Sequence, residues 1–289
     1  MTLLSRARAI ADDREAGASE LLARLLPVLT AALESSPQDV LAFARLICRR
    51  QPMAALWHAC AAAVDDADHP GTFARVRMEM ERAPRALDRA AAITLRELLT
   101  DEDSPLILTL SYSGSVARVL GELAGERRMR IVCGEGRPRF EGRRLAAALH
   151  DRSAEVTLVI DAALTTFLPD ASAIVLGADA VCSTRWINKV GSLGLCAAAN
   201  LRGTPVYVIA SHDKFVPNVL ESALALPLGP PEEVWGAAAG IARVNAYFEF
   251  VPAELATLFL TDRGRLSPAD LPHAVESGAE SISILLSRL

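Results

Sequence analysis

The stretch Thr100-Asp-Glu-Asp-Ser-Pro-Leu-Ile-Leu-Thr-Leu-Ser-Tyr-Ser-Gly-Ser115 decides the fold, because the hydrophobic period of the chain changes within it. The acidic residues and Pro105 end a helical register. Leu106 to Leu110 is then an apolar run of strand length, and the small residues 111–115 turn into a new helix. Downstream the pattern repeats. Strands are expected at Leu106 to Leu110, Arg130 to Cys133, Val156 to Ile160, Ala173 to Leu176 and Val206 to Ile209. Helices are expected between them, at Ser115 to Leu123, Gly142 to His150, Ala162 to Leu168 and Leu193 to Leu201. That alternation is the order of βαβ units, so residues 103–289 are predicted to form a parallel, doubly wound α/β domain.

Upstream, residues 1–102 read as a helical N-terminal domain. Between Ser19 and Leu33 the residues Leu22, Leu25, Leu26, Leu29 and Leu33 recur at intervals of three and four, the mark of one buried helical face. Further helical runs are Asp39 to Arg50, Ala54 to Val64, and Phe73 to Leu99, the last expected to break or bend near Pro84. His58 and His69 have no partners at ligand spacing and read as packed or exposed histidines. The arginines 75, 77, 82, 85 and 89 alternate with acidic residues, as on a solvated helix surface.

Composition excludes several classes. A net charge of -5 with dispersed cations gives no surface for direct nucleic-acid binding. No run of 18 apolar residues spans a membrane, and the charged start does not read as a signal peptide. The five cysteines lack CxxC spacing, which argues against a zinc site or a disulfide framework and predicts a cytoplasmic protein. No metal and no cofactor are expected. Motifs for a P-loop, a GxSxG elbow, HExxH or a dinucleotide fingerprint are absent from the sequence.

Doubly wound sheets bind ligands beyond the carboxyl ends of their strands, so those positions carry the candidate site. They are polar: Ser111, Ser113, Gly114 and Ser115 after the first strand, Glu135 and Arg137 after the second, Asp161 after the third, Asp179 after the fourth, and Lys214 after the fifth. The turn into the helix at Ser115 offers free N–H groups to a phosphate. Asp161 reads equally as a helix N-cap, Asp179 also as a turn cap, and Arg137 also as a surface partner of Glu141. Of the 30 basic residues only Lys189 and Lys214 are lysines, and both fall in this half, where a compact ammonium suits a small anionic ligand. Lys189 is expected to be an exposed pocket lysine.

The segments Leu106-Ile-Leu-Thr-Leu-Ser-Tyr-Ser113, Gly134-Glu-Gly-Arg-Pro-Arg-Phe-Glu-Gly142, Gly177-Ala-Asp179, Ile187-Asn-Lys-Val-Gly-Ser192 and Asp213-Lys-Phe-Val-Pro217 share the order and spacing of one family. The chain resembles the initiation factor 2B alpha/beta/delta family, which also holds the isomerases of methylthioribose 1-phosphate and ribose 1,5-bisphosphate. The resemblance implies a helical domain before a Rossmann-like one, and a homodimer closed through the latter. It also implies a small phosphorylated sugar or nucleotide as ligand.

In the isomerases an aspartate of the Gly-Ala-Asp motif and a cysteine after the first strand carry the chemistry. Here the aspartate is Asp179 and the cysteine position is Ser111, whose hydroxyl is a far weaker acid than a thiol. The family's Arg-Gly-Ala reads Ala16-Gly17-Ala18, and the turn 180–186 is shorter and lacks Asn-Gly. The implied roles are Asp179 and Ser111 at the reacting centre, with Asn188, Lys189, Arg137 and Lys214 on the ligand. Two functions follow: an aldose 1-phosphate to ketose phosphate isomerase, or a non-catalytic regulatory subunit that senses a sugar phosphate or nucleotide.

Overall fold

Five α-helices come first in the computed structural model, which describes residues 2–276 apart from 14, 15, 52, 101, 222, 223, 225, 227 and 237–239. They are α1 (Leu3–Asp12), α2 (Ala18–Ser35), α3 (Val40–Arg50), α4 (Ala54–Asp65) and α5 (Thr72–Leu98). The leucine stripe of α2 is buried as its spacing requires. Along α4 every residue except His58 is buried, so this alanine-rich helix is the centre around which the others pack. Rather than breaking at Pro84, α5 continues through it as one helix. Its first half contributes Phe73 and Met80 to the helical core, and its second half contributes Leu87, Ala91 and Leu95 to a core beneath the sheet.

The remaining elements are β1 (Leu106–Leu110), α6 (Gly114–Glu126), β2 (Arg130–Gly134), α7 (Glu141–His150), β3 (Glu155–Val159), β4 (Ala173–Gly177), β5 (Ala180–Val181), β6 (Arg185–Lys189), α8 (Ser192–Arg202), β7 (Val206–Ile209), α9 (Asn218–Glu221), β8 (Phe248–Pro252), β9 (Leu258–Thr261), β10 (Gly264–Leu266) and α10 (Leu271–Glu276). The seven-stranded sheet runs β10-β9-β7-β4-β1-β2-β3, parallel throughout except for β10. The chain winds outward from β1 to β3, then returns to place β4 on the other side of β1. That reversal makes the carboxyl ends of β1 and β4 the ligand-binding crevice of such a sheet. Every residue of β1 is buried, as a central parallel strand must be. Ile107 faces the layer of α5, α6 and α7, while Leu106, Leu108 and Leu110 face the layer of α8 and α10.

Three features differ from the sequence expectation, the first being that β9 and β10 extend the main sheet beyond the five strands expected. Residues 161–170 form a 3-10 helix ending at Pro169 and Asp170, in place of the α-helix expected over 162–168. A second, antiparallel sheet of β5, β6 and β8 carries Asn188 and Lys189 on its middle strand. Its apolar residues Ala180 and Ile187 pack into the helical core, which fixes β6 between the helices and the main sheet.

Candidate functional site

At the switch point two chain segments approach so closely that only glycine fits. A Cβ on Gly177, at the end of β4, would lie 2.7 Å from the Ser113 hydroxyl in the turn after β1. Ser113 itself is the N-cap of α6, and the first N–H groups of that helix open at the strand end. Ser111, just past β1, holds a φ of 67°, in the left-handed region. A non-glycine residue keeps that conformation only where its surroundings impose it, and such positions cluster at functional sites.

Glu141, the first residue of α7, organises the centre. Its Oε1 accepts a hydrogen bond of 3.2 Å from the Ser111 hydroxyl and also contacts the Lys189 ammonium directly. Lys189 is buried, with its ammonium 5.4 Å from the centre of the Tyr247 ring. The expected exposed pocket lysine is therefore a buried ion-paired one. The alternative surface pair of Arg137 with Glu141 is not seen among the described residues, and Lys189 of β6 holds that carboxylate. The other Glu141 oxygen, Oε2, is buried and has no hydrogen-bond partner among the described residues.

Asp179 follows β4, and its N–H donates to Ile187 O at 2.8 Å, tying the Gly-Ala-Asp turn to β6. Burial pushes its carboxyl pKa up; Lys214 and then Lys189 oppose the shift, and Glu141 adds to it. The residue as a whole is half-buried, yet desolvation outweighs both ammonium groups. Lys214 is buried and donates to Ala178 O, inside the same turn. Asn188 donates to the Ser192 hydroxyl at 2.8 Å, and Ser192 donates to Lys189 O at 2.6 Å, so this amide stiffens the segment that carries the lysine.

Ser111, Asp179, Lys189 and Lys214 are thus brought together, with Ser113 and Gly114 at the rim. Others stand apart. The Ser115 hydroxyl accepts from Arg118, which is paired with Asp88 of α5. Glu135 pairs with Arg143 at 3.2 Å. Arg137 is exposed and donates to Val234 O at 3.3 Å. Asp161 braces the neighbouring loop, accepting from the N–H groups of Gly136 at 2.8 Å and Arg137 at 2.7 Å. Sequence reasoning missed Glu141 as a site residue, and with it the cluster in which Arg139 and Tyr247 both bind Glu233.

A separate cavity of about 690 Å³ lies between the helices and the ends of β7 and β9, lined by His58, Arg75, Glu79, His212, Asp213 and Asp262 among others. His58 is a packed histidine whose Nε2 lies 2.7 Å from Phe215 O, and burial lowers its pKa. Among the described residues no cluster of histidine, cysteine or acidic side chains suits a metal ion, and no helix is long and apolar enough to cross a membrane.

The chain matches the model of the initiation factor 2 subunit family over residues 57–268. It is 31% identical to a ribose 1,5-bisphosphate isomerase of Haloferax volcanii over 218 residues, covering 73% of this chain and 62% of that protein. To a protein of the same name from Methanocaldococcus jannaschii it is 29% identical over 181 residues, covering 61% of this chain and 59% of that one. The matches thus span about three fifths of the length of these relatives. The crystal structure of the translation initiation factor eIF-2B of Pyrococcus horikoshii OT3 superposes with a TM-score of 0.77 at 22% identity, covering 92% of this chain and 97% of that one. That likeness is one of fold. With the family model covering most of the chain, and the helical front, parallel sheet and strand-end motifs in place, the protein belongs to the initiation factor 2 subunit family.

Proposed function

We propose that the protein is a sugar-phosphate isomerase that converts an aldose 1-phosphate into the corresponding ketose phosphate. The observation that carries this reading is Asp179, a carboxyl pushed toward its protonated form at the switch point of the sheet, beside two buried ammonium groups. Opening the sugar ring needs an acid at the ring oxygen, and burial shifts this carboxyl toward the protonated form that can supply the proton. Lys189, Lys214 and the N-terminus of α6 give the crevice the positive field that a phosphate needs. The names of the two relatives point the same way. The reading includes a homodimer closed through the C-terminal domain and a cytoplasmic setting, in keeping with five unpaired cysteines.

A second reading rests on one observation. The residue after β1 is a serine, whose hydroxyl does not ionise near neutral pH, which favours a regulatory subunit that binds the same ligand without converting it.

A thermal-shift screen of pentose and hexose 1-phosphates tests the shared premise. A ligand at 100 times its dissociation constant stabilises by about 2.7 kcal/mol, a rise of several degrees. The parent sugars without phosphate should leave the melting temperature in place. No shift with any sugar 1-phosphate would remove both readings.

A further inference from the structure

We propose that Glu141 is the base that carries a proton between the two reacting carbons of the sugar, with Ser111 and Lys189 aiming it. The inference rests on the isomerase reading and names a residue for its proton transfer.

The geometry divides the two Glu141 oxygens. Oε1 is occupied by the Ser111 hydroxyl at 3.2 Å and by the Lys189 ammonium, whereas Oε2 is buried and without a partner among the described residues. A buried acceptor left unsatisfied costs about 1–3 kcal/mol, more when charged, so a native protein that keeps one calls for an explanation. A substrate atom supplies it. Ser111 is not the base, because it donates its own proton to Glu141. Ser111 makes this bond from a left-handed backbone, with φ 67°. Asp179 is not the base either, since its raised pKa suits it to giving a proton. Two carboxyl groups in one crevice, one ion-paired and one desolvated, are thereby assigned opposite tasks.

The steps balance. The bond from C1 to the ring oxygen breaks, its electron pair goes to that oxygen, and the oxygen takes the Asp179 proton. Glu141 removes the proton from C2, and the C–H electron pair becomes the C1=C2 double bond of an enol phosphate. The C2 hydroxyl then returns a proton to Asp179 as its oxygen becomes a carbonyl, and C1 takes back the proton held by Glu141. Both carboxyls end as they began. No oxidant is consumed.

Three measurements on the full chain decide it, using an aldose 1-phosphate that wild type converts. Glu141→Gln should lower kcat by about a hundredfold or more while KM changes little. Glu141→Ala should be equally slow and should recover at least about tenfold when formate is added, since formate replaces the missing base and not a missing fold. Wild type in D2O needs no substitution and should place solvent deuterium on C1 in a fraction of the product, because the proton held by Glu141 exchanges in part before it is returned. Turnover of Glu141→Gln within about tenfold of wild type would overturn the proposal. So would a loss that formate leaves unchanged. In each of those cases the isomerase reading survives. If wild type converts no aldose 1-phosphate, that reading falls and takes this inference with it.

Discussion

Asp179 and Lys189 sit in one crevice and owe opposite things to burial. For Asp179 the desolvated carboxyl holds its proton more tightly in the folded chain than in the unfolded one. Stability linked to it is therefore full below the unfolded pKa, near about pH 4, and is lost as pH rises through the folded value. Asp179→Asn removes that loss. The variant should melt no lower than wild type at pH 7, with any advantage shrinking as the pH falls to about 4, while turnover drops by roughly two to four decades. Thermal unfolding from pH 4 to 8 checks the first part. Lys189 is buried against Glu141, so Lys189→Met leaves a carboxylate without its cation and should cost about 1–3 kcal/mol in denaturant unfolding. Adding Glu141→Gln to it should recover part of that loss. Asp179, Ser111 and Lys214 were legible as candidates because strand ends in a doubly wound sheet are where such folds bind ligands. Glu141 was not, because it reaches the crevice by a fold of the loop 135–140, where Gly136 and Phe140 both take positive φ. Nothing local in the sequence marks that return.

At the scale of elements, β1, β4 and β7 were readable because each is a short apolar run buried on both faces and bounded by turn residues. The β5-β6-β8 sheet was not. Its middle strand is Arg185-Trp-Ile-Asn-Lys189, with polar residues at three of five positions, and its pairing with β8 joins residues 59 to 67 apart in sequence. At the junction of β2 with α7, a Cβ on Gly142 would lie 1.8 Å from Gly134 O. Gly142→Ala must push α7 off the strand end and carry Glu141 with it. We expect a loss of about 2 kcal/mol or more in stability and a larger loss of ligand-induced shift than Gly194→Ala, where a Cβ meets nothing within 4 Å. Equal behaviour of the two variants in thermal melts with and without ligand would contradict this role for the junction.

At the scale of the molecule, α5 joins the two halves by placing its first half in the helical core and its second half under the sheet. The helical and α/β character of the two halves was legible from the change of period near Pro105. That one helix serves both cores was not, because its apolar residues follow one continuous stripe. Val234, Trp235, Ile241 and Val244 are exposed in the C-terminal half. Light scattering should give about twice the 30.8 kDa chain mass at micromolar concentration, and a monomer would refute the dimer. The central claim is conversion, and carbon NMR of wild type with the sugar 1-phosphate that stabilises it most tests that claim directly. A ketone carbonyl signal should grow at C2 with wild type and grow slower by roughly two to four decades with Asp179→Asn. Saturating binding with no carbonyl signal in either protein would contradict that claim.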